Sequence, residues 1–299
     1  MNVFRLTLAA VVLMMTSCSS DLKEEEVNNE EVKVPVTVRV KGFTVEQSDF
    51  PVTRGGDKTV DEYANLKALT LAFYKSDGTE LYKATQYKND KSTYETFSVF
   101  STSLPIGSSY TMVVIGSSAA DEAHHVTLDA ATSASYSDYV RETFSVRQTV
   151  TISSNEPVSL EATLDRVYAQ VTVQSTDGRT EEVKSIRTIF SGGSMSFNPL
   201  TGLASDNNGL SKTVVTTKAV GETTEINNAL FLASDKQTMD ITVQTLDKDG
   251  NVIFSEVVKD VALQRNKITT LTGRMYSADA TTSPFTLHTD WLPGNEVTF

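Results

Sequence analysis

The chain of 299 residues holds one cysteine, one tryptophan and three histidines. A single thiol excludes an intramolecular disulfide and a thiolate metal site, so stability has to come from an apolar core. The histidines offer little more. His124 and His125 are adjacent in a polar stretch, where neighbours on an extended chain point to opposite sides and do not converge on one metal. Both read as surface residues. His288 lies in FTLHTDW, and alternation turns it away from the face of Leu287 and Thr289 to an exposed position. There is no glycine-rich phosphate loop, zinc motif or Gly-x-Ser-x-Gly elbow, and nothing singles out a catalytic pair among the many carboxylates. The sequence thus supplies no catalytic or metal site and requires no cofactor, which argues against an enzyme. Basic residues are also in the minority, 26 against 38 acidic ones, for a net charge of -12. Binding to nucleic acid is driven by counterions that basic groups release, so neither nucleic acid nor anionic lipid is an expected partner.

Long apolar runs are missing except at the start. MNVFRLTLAAVVLMMTS has Arg5 as its sole charge and is almost uninterruptedly apolar from Leu6 to Met15. That run is shorter than the roughly 20 residues a membrane helix needs. It fits a secretory signal peptide over residues 1–17. Met15, Thr16 and Ser17 ahead of Cys18 resemble a bacterial lipobox, with Met where Leu is usual three positions before the cysteine. In such a motif the thiol is joined to diacylglycerol and the new amino terminus is acylated. Each chain adds about 0.8 kcal/mol per buried methylene, and two or three of them anchor a protein stably. Cys18 is therefore the expected lipid site, and the outer membrane the expected location. Residues 18–32 are polar and acidic and read as a tether. Asp21 to Glu26 is either a solvated spacer or, by its likeness to surface lipoproteins of the Bacteroidetes, an export signal to the outer leaflet.

Roughly 280 residues remain, enough for two domains with cores of their own. From Lys33 on the apolar period is two, as in Val34, Val36, Val38 and Val40, in Leu69, Leu71 and Phe73, in Val167, Ala169, Val171 and Val173, and in Ile241 and Val243. Such strands bury one face and wet the other, and the chain reads as all-β. EYANLKALTLAF (62–73) is expected to begin with a helical turn before entering a strand. The Asp-Gly pairs in KSDG (75–78), STDG (175–178) and DKDG (247–250) each follow an alternating run and read as hairpin turns. DKDGN lacks the further acids of a calcium loop. SSNEPVS (153–159) contains Pro157, which cannot donate to a central ladder, and suggests a boundary between a domain at 33–156 and one at 157–299. Residues 117–138 and 191–209 read as loops or crossover excursions. Tyr74, Tyr82 and Tyr87 serve either cross-strand packing or stacking on sugars.

Lipobox, acidic tether, two β-rich halves and several local runs together resemble the Bacteroidales fimbrillin superfamily, which includes shaft subunits and lipid-held anchor subunits. LKALTLAFYKSDGTELYKATQY resembles its strand, Asp-Gly turn and strand, and LPIGSSYTMVVIGSS its Leu-Pro-x-Gly segment feeding a buried strand. LEATLDRVYAQVTV resembles the strand opening its C-terminal domain, and VALQRNKITTLTGRMY the Arg-Asn segment before a late strand. The resemblance covers most of the mature chain. It implies two transthyretin-like antiparallel β-sandwich domains in tandem and a fimbrial, or pilus, subunit that assembles by β-strand addition.

In shaft subunits of that superfamily an Arg-directed protease removes an N-terminal strand after lipid-mediated export. The resemblance makes Arg54 in PVTRGG a candidate for that cut, leaving Gly55 as the new start; an ordinary loop arginine is the other reading. A cut there releases the Val34–Val40 strand together with its lipid. Phe285, Leu287 and Trp291 alternate as a donor strand would, or as the final strand of the second domain. Other fimbrial subunits, the outer membrane and host or bacterial surface ligands are the implied partners. A non-polymerising glycan-binding or adhesive lipoprotein is the alternative, with a hydrolase built on an unrecognised carboxylate pair further behind.

Overall fold

Alternating side chains produce strands wherever one face can be buried, and apart from two single-turn 3-10 segments, Lys91–Thr93 and Glu122–His124, the regular structure of the described residues is all-β. The computed structural model describes residues 31–43, 59–276 and 285–291. Nine strands come from the first half: β1 (Lys33–Phe43), β2 (Ala68–Tyr74), β3 (Glu80–Tyr87), β4 (Val99–Pro105), β5 (Ser108–Ser117), β6 (Thr127–Ala130), β7 (Ser133–Ser135), β8 (Thr143–Ile152) and β9 (Val158–Arg166). Seven of them form one sheet in the order β3-β2-β5-β8-β9-β1-β4. β8 and β9 pair only at Phe144–Arg166 and Ser145–Asp165, so the sheet folds over at that corner. Its inner faces then meet in a single core that includes Val36, Leu71, Phe73, Phe100, Val114 and Leu164.

The second half supplies β10 (Ala169–Ser175), β11 (Ser185–Phe190), β12 (Ser196–Asn198), β13 (Leu203–Ala204), β14 (Leu210–Val215), β15 (Glu225–Leu230), β16 (Lys236–Leu246), β17 (Val252–Gln264), β18 (Lys267–Gly273) and β19 (Thr286–Trp291). Two four-stranded sheets, β15-β10-β18-β19 and β14-β11-β16-β17, enclose a core of Val171, Val173, Ile186, Ile241, Val243 and Leu271 among others. Both halves obey one pairing rule: the opening strand lies parallel to a late strand, β1 to β9 and β10 to β18, with an antiparallel neighbour on its other side.

Several expectations change in three dimensions. SSNEPVS is the turn between β8 and β9, and because β9 pairs with β1 and buries Ala162 and Leu164 in the first core, the chain crosses between halves at Val167 and Tyr168 rather than at Pro157. The stretches taken as excursions contain β6, β7, β12 and β13, which pair with one another as β13-β12-β7-β6. This small sheet joins the halves and helps to cover a third core with Tyr74, Ile115, Tyr136, Phe197 and Phe231. β2 consequently has no wet face. Leu69, Leu71 and Phe73 pack inward, and Ala72 and Tyr74 pack against the third core.

KSDG and DKDG make the expected hairpins, with Gly78 at φ 87° and Gly250 at φ 84°. STDG does not, since β10 and β11 belong to different sheets. There Asp177 instead accepts hydrogen bonds from the backbone N–H groups of Met275 and Tyr276, both at 2.9 Å. Gly178 is needed for another reason: a Cβ on it would collide with the Gly221 carbonyl oxygen. The segment at 62–67 forms turns rather than helix. Thr59 and Glu62 make reciprocal capping bonds, and then buried Leu66 leads the chain into β2.

Candidate strand-exchange interface

β1 occupies a slot that the rest of the first half leaves for it. Lys33–Arg39 pairs with Pro105–Val99 of β4, and Val36–Phe43 pairs with Val158–Leu164 of β9. Pro35 is tolerated inside this central strand because the parallel pairing begins only at Val36, so no ladder bond is lost. Val34, Val36, Val38 and Val40 are 1%, 0%, 0% and 1% exposed. Fully burying such side chains is worth about 1.5–3 kcal/mol each, so the four valines contribute roughly 6–12 kcal/mol as an upper figure. That is comparable to the whole stability of an ordinary domain. A vacated slot would expose the edges of β4 and β9 along with their apolar pockets.

The residues singled out in the sequence fall in different places. Cys18 lies outside the described residues, as do Arg54 and Gly55 between Phe43 and Thr59. Phe285, Leu287 and Trp291 belong to or border β19, which pairs antiparallel with β18, Lys267 opposite Trp291 and Leu271 opposite Leu287. This is the geometry of a final strand seated in its own half. Among the described residues β19 is the outermost strand of its sheet, and Phe285, just before it, packs against the core, its ring lying where a Cβ on Gly273 would point. Thr286, Leu287, His288 and Thr289 are exposed, Leu287 at 44%. The expected exposure of His288 holds, and Leu287 stays uncovered, because among the described residues no strand lies beyond β19.

His125 departs from the sequence reading. It is 8% exposed, with Nε2 2.7 Å from the Thr70 hydroxyl and Nδ1 2.8 Å from the Ser117 hydroxyl. Burial lowers its pKa from 6.5 to about 4, so the ring is neutral at pH 7. The 3-10 turn Glu122–His124 folds the chain back so that His124 stays outside with Asp121 while His125 turns in. At the crossing between halves the Tyr63 hydroxyl donates to Glu142 at 2.7 Å, and Arg166, 3% exposed, donates to the same carboxylate at 3.0 Å. The guanidinium also lies over Phe144 and Tyr168, at 5.4 and 5.6 Å from the ring centroids. Burial, reinforced by the Glu142 charge, pushes the Tyr63 hydroxyl pKa well above its usual range. Sequence reasoning missed this cluster, since its members are far apart in the chain and no motif links them. Among the described residues no group of three or more His, Cys, Asp or Glu side chains comes together in a way suited to a metal ion.

With this geometry in view, the chain is similar to the fimbrial anchor protein Mfa2 from Porphyromonas gingivalis, at 12% identity and a TM-score of 0.52, over 88% of this chain and 99% of that one. Weaker likenesses are to a candidate adhesin from Bacteroides ovatus (12% identity, TM-score 0.48, 82% and 87% covered) and to the tip fimbrial protein Mfa3 from Porphyromonas gingivalis with a C-terminal truncation (11%, 0.40, 87% and 100%). No curated protein matches. The resemblance to Bacteroidales fimbrillins drawn from the sequence thus holds at the level of the fold, a tandem β-sandwich. Residues 24–283 match the model of a family described as of unknown function, DUF6562, and the chain belongs to that family.

Proposed function

We propose that the protein is a fimbrial subunit or anchor, carried to the cell surface as a lipoprotein on Cys18 and joined to like subunits by β-strand addition rather than by any bond-breaking chemistry of its own. The observation that carries this reading is β1: a strand at the amino-terminal end of the fold fills a central slot with four buried valines, and Arg54 follows it in the sequence. A cut after Arg54 leaves Gly55 as the new amino terminus and turns β1 into a non-covalently held strand that another strand can replace. Phe285, Leu287 and Trp291 of β19 are the candidate donor. An anchor subunit keeps its lipid and needs no cut. The fold shared with a fimbrial anchor protein supports this reading.

Mass spectrometry of the mature amino terminus tests it. Acylated Cys18 is expected for an anchor, and a start at Gly55 for a shaft subunit; a membrane-bound Cys18→Ala variant would refute the lipid assignment. A subunit is also expected to form multimers that resist mild heating in detergent. A non-polymerising adhesive or glycan-binding lipoprotein is the second reading, favoured by the pairing of β1 and β19 within one chain. Such a protein stays monomeric and is retained on a polysaccharide column.

A further inference from the structure

The sheet of the first half has two free edges, and the fold brings them to one place. Among the described residues β3 pairs only with β2 and β4 only with β1, yet β3 and β4 line a common groove of about 450 Å³. At one end Gln86 of β3 closes the seam. Its side chain is buried, its Nε2 donates to the Val99 carbonyl at 2.7 Å, and its Oε1 accepts from the Ser98 N–H at 2.8 Å. A primary amide so placed makes with β4 the kind of hydrogen-bond pair that the peptide groups of a neighbouring strand would make. Backbone groups change sides with every residue along a strand, so Ser101 and Ser103 turn their N–H and C=O to the same side as Val99. Among the described residues no strand lies there.

We propose that the seam between β3 and β4 is a strand-acceptor site, filled by the β19 segment of a second copy as an eighth strand. This rests on the reading of the chain as a subunit that assembles by strand addition, and it names an acceptor distinct from the slot of β1. Traced from neighbour to neighbour around the sheet, β3 and β4 run in opposite directions. An inserted strand is therefore parallel to one and antiparallel to the other, the arrangement β1 already has between β9 and β4. Length agrees, six residues in β19 against eight in β3. Leu287, 44% exposed at home, gains a groove lined by Tyr82, Tyr94 and Phe100. Eight strands also suffice to close a small barrel around a core filled by side chains, which removes both free edges.

The experiment titrates a fluorescent peptide copying residues 283–293 onto the full chain and onto Ser101→Pro and Ala84→Trp variants, followed by anisotropy. Proline at Ser101 deletes only an N–H that faces away from β1, so the fold is retained; Trp at Ala84, which lies on the same face of β3 as Tyr82 and Gln86 and lines the groove, fills it. Saturable binding to the parent chain, weakened tenfold or more in both variants at a nearly unchanged melting temperature, is expected. If one variant fails to fold, the other carries the comparison. Equal affinity for all three proteins would overturn the proposal by placing the acceptor elsewhere. Absence of peptide binding while the full chain still forms detergent-resistant multimers sinks the proposal but leaves the subunit reading intact; absence of both sinks the two together. Displacement of the peptide by cellohexaose, with loss of sugar binding in Ala84→Trp, would assign the groove to glycans and also overturn it.

Discussion

Acidification should weaken this protein through one buried ring. His125 is enclosed by Thr70 and Ser117 and lies edge-on to Tyr87, 5.7 Å between centroids. Burial holds its pKa at about 4 in the folded chain against 6.5 for the free side chain. Between these values the unfolded chain takes up a proton that the folded chain refuses. Stability from this residue is therefore complete above about pH 6.5 and drains away as the pH falls towards 4. At about 1.4 kcal/mol per pH unit, the gap amounts to about 3 kcal/mol. Urea unfolding measured from pH 4 to pH 8 on the parent chain and on His125→Asn isolates the effect, because carboxylates titrate in both proteins and cancel in the difference. The variant is expected to be less stable at pH 7 by about 1–3 kcal/mol, since hydroxyls at Thr70 and Ser117 lose hydrogen-bond partners. Between pH 7 and pH 4 the parent should then lose about 3 kcal/mol more than the variant does. Parallel profiles would show that the ring already carries a proton, or is solvated, in the native state, and would refute the reasoning.

Three further outcomes are expected. Val38→Ala in β1 should lower the stability of the first half by about 2 kcal/mol, read as a shift in the urea midpoint, because two methyl groups leave a fully packed site. Glu142→Ala should cost about 3 kcal/mol or more in the same assay, with Glu142→Gln milder, because it takes from the buried Arg166 its carboxylate partner at the crossing between halves. Gly178→Ala should depress the melting temperature by several degrees through a backbone clash with Gly221, whereas Gly192→Ala, which meets only the side chains of Gln237 and Asn207, should be tolerated better.

What could be read in the sequence depended on the range of the signal. A period of two is written locally, so the strand at Val34–Val40 and the Asp-Gly hairpins at Gly78 and Gly250 were legible residue by residue. The failures share a cause. β12 and β13 have three and two residues, too few for alternation to stand out, so the sheet that joins the halves read as loop. β2 looked one-sided because nothing in its own residues announces that Tyr136, Phe197 and Phe231 will cover its other face. STDG carried a hairpin signal, but the next strand went to a different sheet and left Asp177 to cap residues 275 and 276.

The sequence by itself determined the all-β character and the excess of acidic over basic residues, because composition and short-range periodicity are properties of neighbouring residues. Only the tertiary structure decided that β1 enters between β9 and β4, that β19 stays on the edge of its own sheet, that His125 is enclosed, and that β3 and β4 face one another across an open seam. Each of these depends on contacts between segments that are not adjacent in the chain. Which edges meet is fixed by how two cores close, and no local pattern records that.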